Sequence, residues 1–169
     1  KMAQTSVQDF DALFAEHWGR VYAVLFRLIG DSAEAEDLAL EVFWRLYRHP
    51  PREVDPAKLV GWLYRVATNL GYNALRSASR RSRYERDAAL ESRSDPAIQA
   101  EEVLRRQQVR QLLAKMKPRS AHLLILRHSG FSYTEIAAVV KVSPGSVGKL
   151  LARAEGEFER LFVAAYGED

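Results

Sequence analysis

The sequence has 169 residues, which suits one ordinary domain or two small ones. Hydrophobic residues make up 47% and charged residues 28%, as in a folded globular protein and not in a disordered chain. No apolar run approaches the roughly 18–20 residues that cross a bilayer, so we expect a cytoplasmic protein without membrane insertion. The absence of cysteine and the scatter of the four histidines argue against a disulfide or zinc site, and we expect no metal and no cofactor.

The net charge of +3 is divided unevenly along the chain. Residues 31–55 carry a net charge of −4, whereas residues 56–86 and residues 115–153 each carry +6. Two basic stretches that are well separated in sequence suggest two contacts with a polyanion such as nucleic acid. Solvated helix faces would explain the same charges.

Apolar residues recur at intervals of three and four in nearly every stretch, which predicts an all-α fold. A first helix is predicted from Val7 to Ile29, and a second after a cap at Asp31 or Ser32. The segment PPREVDP, residues 50–56, cannot be helical because prolines open and close it. A long third helix is predicted from Ala57 towards Arg80.

The composition then changes, since residues 77–97 are rich in Ser, Arg and Asp. We predict two small helical domains, at 7–83 and 97–165, joined by a flexible linker at 84–96. Helices are predicted in the second domain at 97–116, about 119–128, 132–140 and 144–165, with Pro118 separating the first two.

The stretch YTEIAAVVKVSPGSVGKLLARA, residues 133–154, predicts two short helices at a tight turn. This is typical of a helix-turn-helix, in which the first helix braces the second and the second enters the major groove of DNA. Ser143 can cap the second helix, and Pro144 suits its first position. A helical hairpin in an ordinary bundle would show the same periodicity. The predicted inward residues are Ile136, Ala137, Val140, Val147, Leu151, Ala154 and Phe158.

Three stretches resemble a known family. LLILRHSGFSYTEIAAVVKVSPGSVGKLLARA resembles region four of the bacterial RNA polymerase sigma factors. DSAEAEDLALEVFWRLYRH and LVGWLYRVATNLGYNALRSASRR resemble region two of the same family. Their order and the short tether between them resemble the extracytoplasmic-function sigma factors of the sigma-70 family, which keep only these two regions. The resemblance implies a specificity subunit without a catalytic site, which directs promoter-specific transcription initiation.

The first surface that the resemblance implies binds the core RNA polymerase through the acidic second helix. Charged groups suit a reversible interface because they speed encounter and set the register. From the residues alone, a solvated helix face whose charges match the helix dipole is the alternative. The matching residues are Asp37, Leu40, Glu41, Trp44 and Arg45, with Leu40 in place of the family's usual Gln.

The second implied surface melts and reads the −10 element as single-stranded DNA, with a base extruded into a pocket made by the loop 51–58. Asn69 and Asn73 share a helix face, and an amide can both donate to and accept from a base, although Asn73 replaces a common Asp. Arg80, Arg81 and Arg83 would bind phosphates without reading sequence. Trp62 is predicted to be a core residue. The full −10 set is Pro51, Arg52, Lys58, Asn69, Asn73, Arg76 and Arg80.

The third implied surface reads the −35 element as duplex DNA. Gly148, Leu150 and Glu155 stand where the family usually has basic residues, so we expect weak binding that relies on tethering to region two. Lys141 replaces a turn glycine, where a positive φ costs about 1 kcal/mol. Leu150 is expected to be exposed, where it would contact either the methyl group of a thymine or a partner protein. The full −35 set is Arg127, Lys141, Ser143, Gly145, Ser146, Lys149 and Arg153.

The resemblance also implies an anti-sigma factor as a partner, and we expect the free protein to be a monomer. A stand-alone helix-turn-helix regulator would instead form a dimer and bind DNA tightly by itself. A helical enzyme would have to use Glu36, Asp37 and Glu41, which have no Ser, His or metal-ligand partner at a useful spacing. An adaptor that binds only protein is the remaining alternative.

Overall fold

The computed structural model describes residues 7–52, 55–85 and 97–167, and within these ranges the chain is helical without a strand. This confirms the predicted all-α fold. None of the helices in these ranges is long and apolar enough to span a membrane. The helices are α1 (Val7–Ile29), α2 (Ser32–Arg48), α3 (Pro56–Glu85), α4 (Ala97–Lys115), α5 (Pro118–His128), α6 (Tyr133–Val140) and α7 (Pro144–Tyr166). Most of the predicted linker, residues 86–96, lies outside the described residues.

The helix starts follow local sequence signals. The side chain of Asp31 caps α2 by accepting a hydrogen bond from the Glu34 amide at 2.9 Å, as predicted. A reciprocal capping box starts α6, in which the Glu135 amide donates to Ser132 Oγ and the Ser132 amide donates to Glu135 Oε2. The S-x-x-E spacing of this box is visible in the sequence.

The turn between α6 and α7 combines a confirmed prediction with a correction. Lys141 has φ 57° and ψ 55°, the left-handed conformation expected at this position. Ser143 occupies the N-cap of α7 and Pro144 follows it, but the predicted side-chain cap is wrong. The Ser143 hydroxyl is instead hydrogen-bonded to the hydroxyl of Ser146 at 2.8 Å, which offers a partner one turn away.

Helices α1, α2 and α3 form an N-terminal bundle around an apolar centre. Gly71 lets α3 approach α1 closely, because a Cβ there would lie 2.7 Å from Leu28 Cδ1. Trp62 is half-buried against the core, as predicted, and Tyr64 is completely buried. The buried residues of this bundle include Val21, Val24, Leu25, Leu28, Ala35, Ala39, Val42, Phe43, Leu46, Leu63, Ala67 and Leu75.

Helices α4 to α7 form a C-terminal bundle in which α6 braces α7. The predicted inward residues of α7 are confirmed, with Val147, Leu151 and Ala154 buried and Phe158 half-buried. In α6, Ile136 and Ala137 are buried as predicted, and Val140 is half-buried. Val139 is also buried, at the end of α6 that lies against α3.

The two bundles pack directly against each other, and their buried side chains form one continuous cluster. The rings of Tyr64 in α3 and Phe131 before α6 meet edge to face with centroids 4.7 Å apart. The Tyr72 hydroxyl donates to the carbonyl of Met116. The sequence predicted the two bundles but not this contact, which joins residues far apart along the chain.

A neutral histidine lies beside this contact. The ring of His122 meets that of Tyr72 edge to face at 5.5 Å, and its Nε2 has no hydrogen-bond partner within the described ranges. Burial lowers the pKa of His122 from 6.5 to about 4. Burial disfavours the charged form of the ring, so the folded protein binds a proton at His122 less readily than the unfolded chain does.

We therefore expect the free energy of unfolding to fall as the pH is lowered from about 6.5 to about 4, because over this range the unfolded chain binds a proton at His122 and the folded chain does not. The upper bound of the loss is about 3 kcal/mol. His122→Phe should remove most of it in urea unfolding measured at several pH values. His17, whose pKa burial also lowers, would account for a remainder. An unchanged pH dependence in the variant would contradict this assignment.

Candidate nucleic-acid and polymerase interfaces

The outer face of α2 collects the residues predicted to bind the polymerase core. Leu40 and Trp44 are 49% and 55% exposed, which is unusual for side chains of this size. Asp37 is exposed beside them, and Arg45 donates to Glu41 at 2.8 Å one turn away. The helix therefore presents a mixed apolar and acidic face that is largely exposed.

Aromatic residues extend this face into a groove between α1 and α2. Phe10 and Phe14 of α1 line it together with Tyr47 and the α2 residues. Tyr47 stacks on Trp44 at 5.9 Å and meets Phe10 edge to face at 5.6 Å. The sequence did not indicate a role for Phe10 and Phe14 in this surface, because their place beside α2 depends on how α1 packs on α2. We call the groove and its rim the α2 face.

The predicted −10 residues fall in two places. Pro51 is half-buried and Arg52 exposed in the loop that follows α2, and Lys58 is in the first turn of α3. Residues 53 and 54 lie outside the described residues, so the predicted pocket loop is described only in part. The loop does connect directly to α3, which carries the other members of the set.

Four polar residues form a stripe along α3. Asn69, Asn73, Arg76 and Arg80 are all exposed, and their spacings of four, three and four place them on one face of the helix. Arg76 lies over the ring of Tyr72, with its guanidinium carbon 5.8 Å from the centroid. The structure thus brings together the amide and guanidinium groups that were predicted to contact a strand. Arg81 is exposed as well, and the Arg83 side chain lies outside the described residues.

The helix-turn-helix presents a modest set of polar groups. Lys149 and Arg153 are exposed on α7, as are Ser143, Gly145 and Lys141 at its start and turn. Ser146 is half-buried through its bond to Ser143. Arg127, also exposed, lies over the ring of Tyr133 at 5.3 Å, so the guanidinium is held at the edge of the motif.

The prediction that Leu150 is exposed is wrong, because it is half-buried and packs against the core. Leu150 and Leu123 of α5 line a second groove together with Arg153 of α7. The packing explains why a leucine is accommodated where the family usually has a basic residue. The rim includes three basic residues that the sequence analysis did not single out: Lys117, Arg119 and Arg160.

Comparison with known proteins bears on both bundles. The profile of Sigma-70 region 2 matches residues 13–81, and that of Sigma-70 region 4 matches residues 106–156. Together these ranges cover more than two thirds of the chain. The chain belongs to the sigma-70 family. The polar stripe of α3 lies in the first matched range, and the helix-turn-helix lies in the second.

The similar proteins are extracytoplasmic-function (ECF) sigma factors and other RNA polymerase sigma factors. ECF RNA polymerase sigma factor SigE of Mycolicibacterium smegmatis is 30% identical over 98% of this chain, which spans 66% of SigE. RNA polymerase sigma factor CarQ of Myxococcus xanthus is 29% identical over 90% of this chain, which spans 86% of CarQ. The chain is an ECF sigma factor, and its function is promoter-specific transcription initiation.

A solved structure shares the fold. The sigma factor RpoE of Bartonella quintana, crystallised with the anti-sigma factor NepR, matches with a TM-score of 0.56 at 22% identity. The match covers 92% of this chain and 98% of the RpoE chain. The arrangement of helices in this sigma factor is therefore one that another sigma factor also adopts.

The left-handed Lys141 generates a testable prediction. Lys141→Gly should raise the free energy of unfolding by about 0.5–1 kcal/mol, because glycine adopts a positive φ without strain. The same change should lower the slope of log affinity for duplex DNA against log salt by nearly one unit, if Lys141 binds a phosphate. Urea unfolding and salt-dependent fluorescence anisotropy measure the two effects.

Lys141→Arg is the matched control, since it keeps both the charge and the strain and should change neither quantity. A stabilised Lys141→Gly protein with an unchanged salt slope would remove Lys141 from the −35 set. A Lys141→Gly protein that is less stable than the original would contradict the strain at this turn.

Proposed function

We propose that this sigma factor binds core RNA polymerase through the α2 face, reads the −10 element with α3 and reads the −35 element with the helix-turn-helix. It acts as a binding subunit with no reaction of its own, in the cytoplasm with the polymerase. The observation that carries the proposal is the exposed stripe Asn69, Asn73, Arg76 and Arg80, because it combines base-reading amides with phosphate-binding cations on one helix face.

The α2 face suits docking of a helix that carries basic residues at its edges. Trp44, Leu40 and the aromatic edges of α1 supply apolar area, and Asp37 and Glu41 supply negative charge at the rim. A large exposed aromatic surrounded by polar groups is the usual composition of a binding hot spot. The acidic rim also supports the assignment of this face to protein and not to DNA, since phosphates would be repelled.

The α3 stripe suits a single strand better than a duplex. Asn69 and Asn73 can each form two hydrogen bonds with the edge of an unpaired base. Arg76 and Arg80 continue the same face, where they can follow the phosphate backbone. Arg52 and Lys58, on the loop side of α3, would hold the strand at the other end.

The helix-turn-helix suits weak binding to duplex DNA. Lys149 and Arg153 are the exposed cations of α7 near the turn, and the amides at 143–145 can bind a phosphate at the helix start. Once region two is fixed on the polymerase, the effective concentration of region four at its site is high. We also propose an anti-sigma factor as a regulatory partner, which the complex of RpoE with NepR supports.

The α2 face is tested with Trp44→Ala. Loss of an exposed anchor at the centre of an interface should cost about 2 kcal/mol, or roughly thirtyfold in affinity for core polymerase. Competition binding with labelled sigma factor measures the effect. Phe162→Ala is the control, because Phe162 is 44% exposed but lies on α7. Equal affinities of both variants and the original protein would exclude the α2 face as the docking surface.

The complete function is tested by transcription in vitro. Core polymerase, the purified protein and a promoter library should give transcription starts that share two motifs at a fixed spacing. In the double variant Asn69→Ala/Asn73→Ala, the motif nearer the start should become less defined and the output should fall roughly fivefold or more, from a loss of about 1–3 kcal/mol. Gln107→Ala, at an exposed position of α4, should leave both unchanged.

If the transcription start sites share only the −10 motif, which lies nearer to them, region four does not read bases. A double variant that keeps both motifs and full output would contradict the assignment of the α3 stripe. No transcription together with no binding to core polymerase would contradict the proposed function as a whole.

A further inference from the structure

An exposed aromatic ring lies where α5, α6 and α7 meet. Tyr133, the first residue of α6, is 44% exposed although it belongs to the helix that braces α7. The guanidinium carbon of Arg127, in the last turn of α5, lies 5.3 Å from the centre of this ring. The face of an aromatic ring attracts a cation in this position. The ring of Tyr133 therefore restrains where Arg127 places its charge.

Helix α7 meets the same ring at a residue that has no side chain. A Cβ added to Gly148 would lie 3.8 Å from Cε2 of Tyr133, which is an ordinary van der Waals contact. Outside α7, no other atom of the described residues lies within 4 Å of that Cβ. A side chain at position 148 would therefore fit without displacing the core, and its absence leaves open space beside the ring.

This open position belongs to the outward side of α7. Gly145 and Ala152 lie three residues before and four residues after Gly148, so the three share one side of the helix, and Gly145 and Ala152 are exposed. The buried stripe of Val147, Leu151 and Ala154 faces the other way. In a helix-turn-helix, the outward side of the second helix is the one that enters the major groove.

The cations of α7 all lie on one flank of this outward side. The helix has three basic residues, Lys149, Arg153 and Arg160, and their spacings of four and seven align them along the helix. The opposite flank carries Gly148 and the exposed acid Glu155. A duplex that lies against α7 would thus meet positive charge from α7 on one side only. On the other side, Arg127 of α5 supplies a cation beside the Tyr133 ring.

We propose that Tyr133 is a positioning residue, which holds the guanidinium of Arg127 against a phosphate of duplex DNA on the flank of α7 that has no cation of its own. This inference rests on the proposed function, since it assumes that α7 lies on the −35 duplex. A guanidinium and a phosphate form strong, charge-assisted hydrogen bonds. Gly148 contributes by its size, because the missing side chain leaves room for the strand to approach Arg127.

The first test measures how the two residues depend on each other. The affinity of the full chain for a labelled duplex, which carries the upstream motif recovered from the promoter library, is measured by fluorescence anisotropy over a range of salt concentrations. Arg127→Gln should lower the slope of log affinity against log salt by nearly one unit. Tyr133→Leu should weaken binding about two- to fivefold at low salt. In the double variant the loss should not exceed that of Arg127→Gln alone.

Two controls separate this role from simple packing. Tyr133→Phe keeps the ring and should bind like the original protein. Arg105→Gln removes an exposed cation of α4 and should leave the salt slope unchanged. Urea unfolding of each variant measures stability, and a ring that served only to pack α6 on α7 would change stability and not the salt slope or the coupling to Arg127.

The second test replaces the cation from α7. Gly148→Arg, added to Arg127→Gln, should restore the lost unit of salt slope, because the new side chain starts beside the same ring. Gly148→Leu is the matched control, since it fills the space without a charge and should restore nothing. This pair does not alter Tyr133, so it also decides the matter if Tyr133→Leu does not fold.

Independent, additive losses for Arg127→Gln and Tyr133→Leu would overturn the proposal. An Arg127→Gln protein with an unchanged salt slope would overturn it as well, and so would equal slopes for the Arg and Leu variants at position 148. These results leave the −35 reading intact, provided that the original protein binds the duplex. An original protein that binds no duplex even at low salt would contradict the −35 reading itself, and this inference with it.

Discussion

The structure depends on α3, because this one helix packs in the core of the N-terminal bundle, contacts the C-terminal bundle and exposes polar residues to solvent. Leu63 and Ala67 are buried in the N-terminal bundle, and Asn69 and Asn73 are exposed. Tyr64 meets Phe131 of the C-terminal bundle and is hydrogen-bonded to His17 at 2.9 Å. Burial raises the pKa of Tyr64 to about 12, so its hydroxyl stays neutral at this junction. A shift of α3 would therefore disturb the core, the contact with α6 and the exposed polar stripe together.

The arginines of region two serve two purposes that composition alone does not separate. Arg20 and Arg65 bind groups of α6, where their charge is used within the protein. Arg76 and Arg80 are exposed on α3, where their charge is available to DNA. The basic stretch at 56–86 is thus only in part available to nucleic acid, and salt should weaken the contact between Arg20 and Glu135 as well as binding to phosphates.

Region four has few cations for DNA because part of its surface is used for packing. Leu150 lies half-buried beside Leu123, and a Cβ at Gly148 would contact Tyr133 at 3.8 Å. Lys149 and Arg153 remain exposed as the cations of α7 that are available to the major groove of DNA. Weak intrinsic affinity is compatible with function when another region supplies most of the binding energy, and it avoids occupation of random sites by the free protein.

The sequence by itself determined the features that depend on neighbouring residues. These are the bounds of α1, the Asp31 cap, the buried stripe of α7, the left-handed Lys141 and the two sigma regions. Local hydrogen bonds, helical periodicity and short motifs suffice for them.

Only the tertiary structure decided which groups meet across the chain. Arg20 and Glu135 are 115 residues apart, and Leu150 is half-buried because α5 places Leu123 beside it. Nothing in the local pattern around Arg20 or Arg65 distinguishes an arginine that binds α6 from one that binds DNA. That choice depends on where α6 lies in space, which no short stretch of sequence encodes.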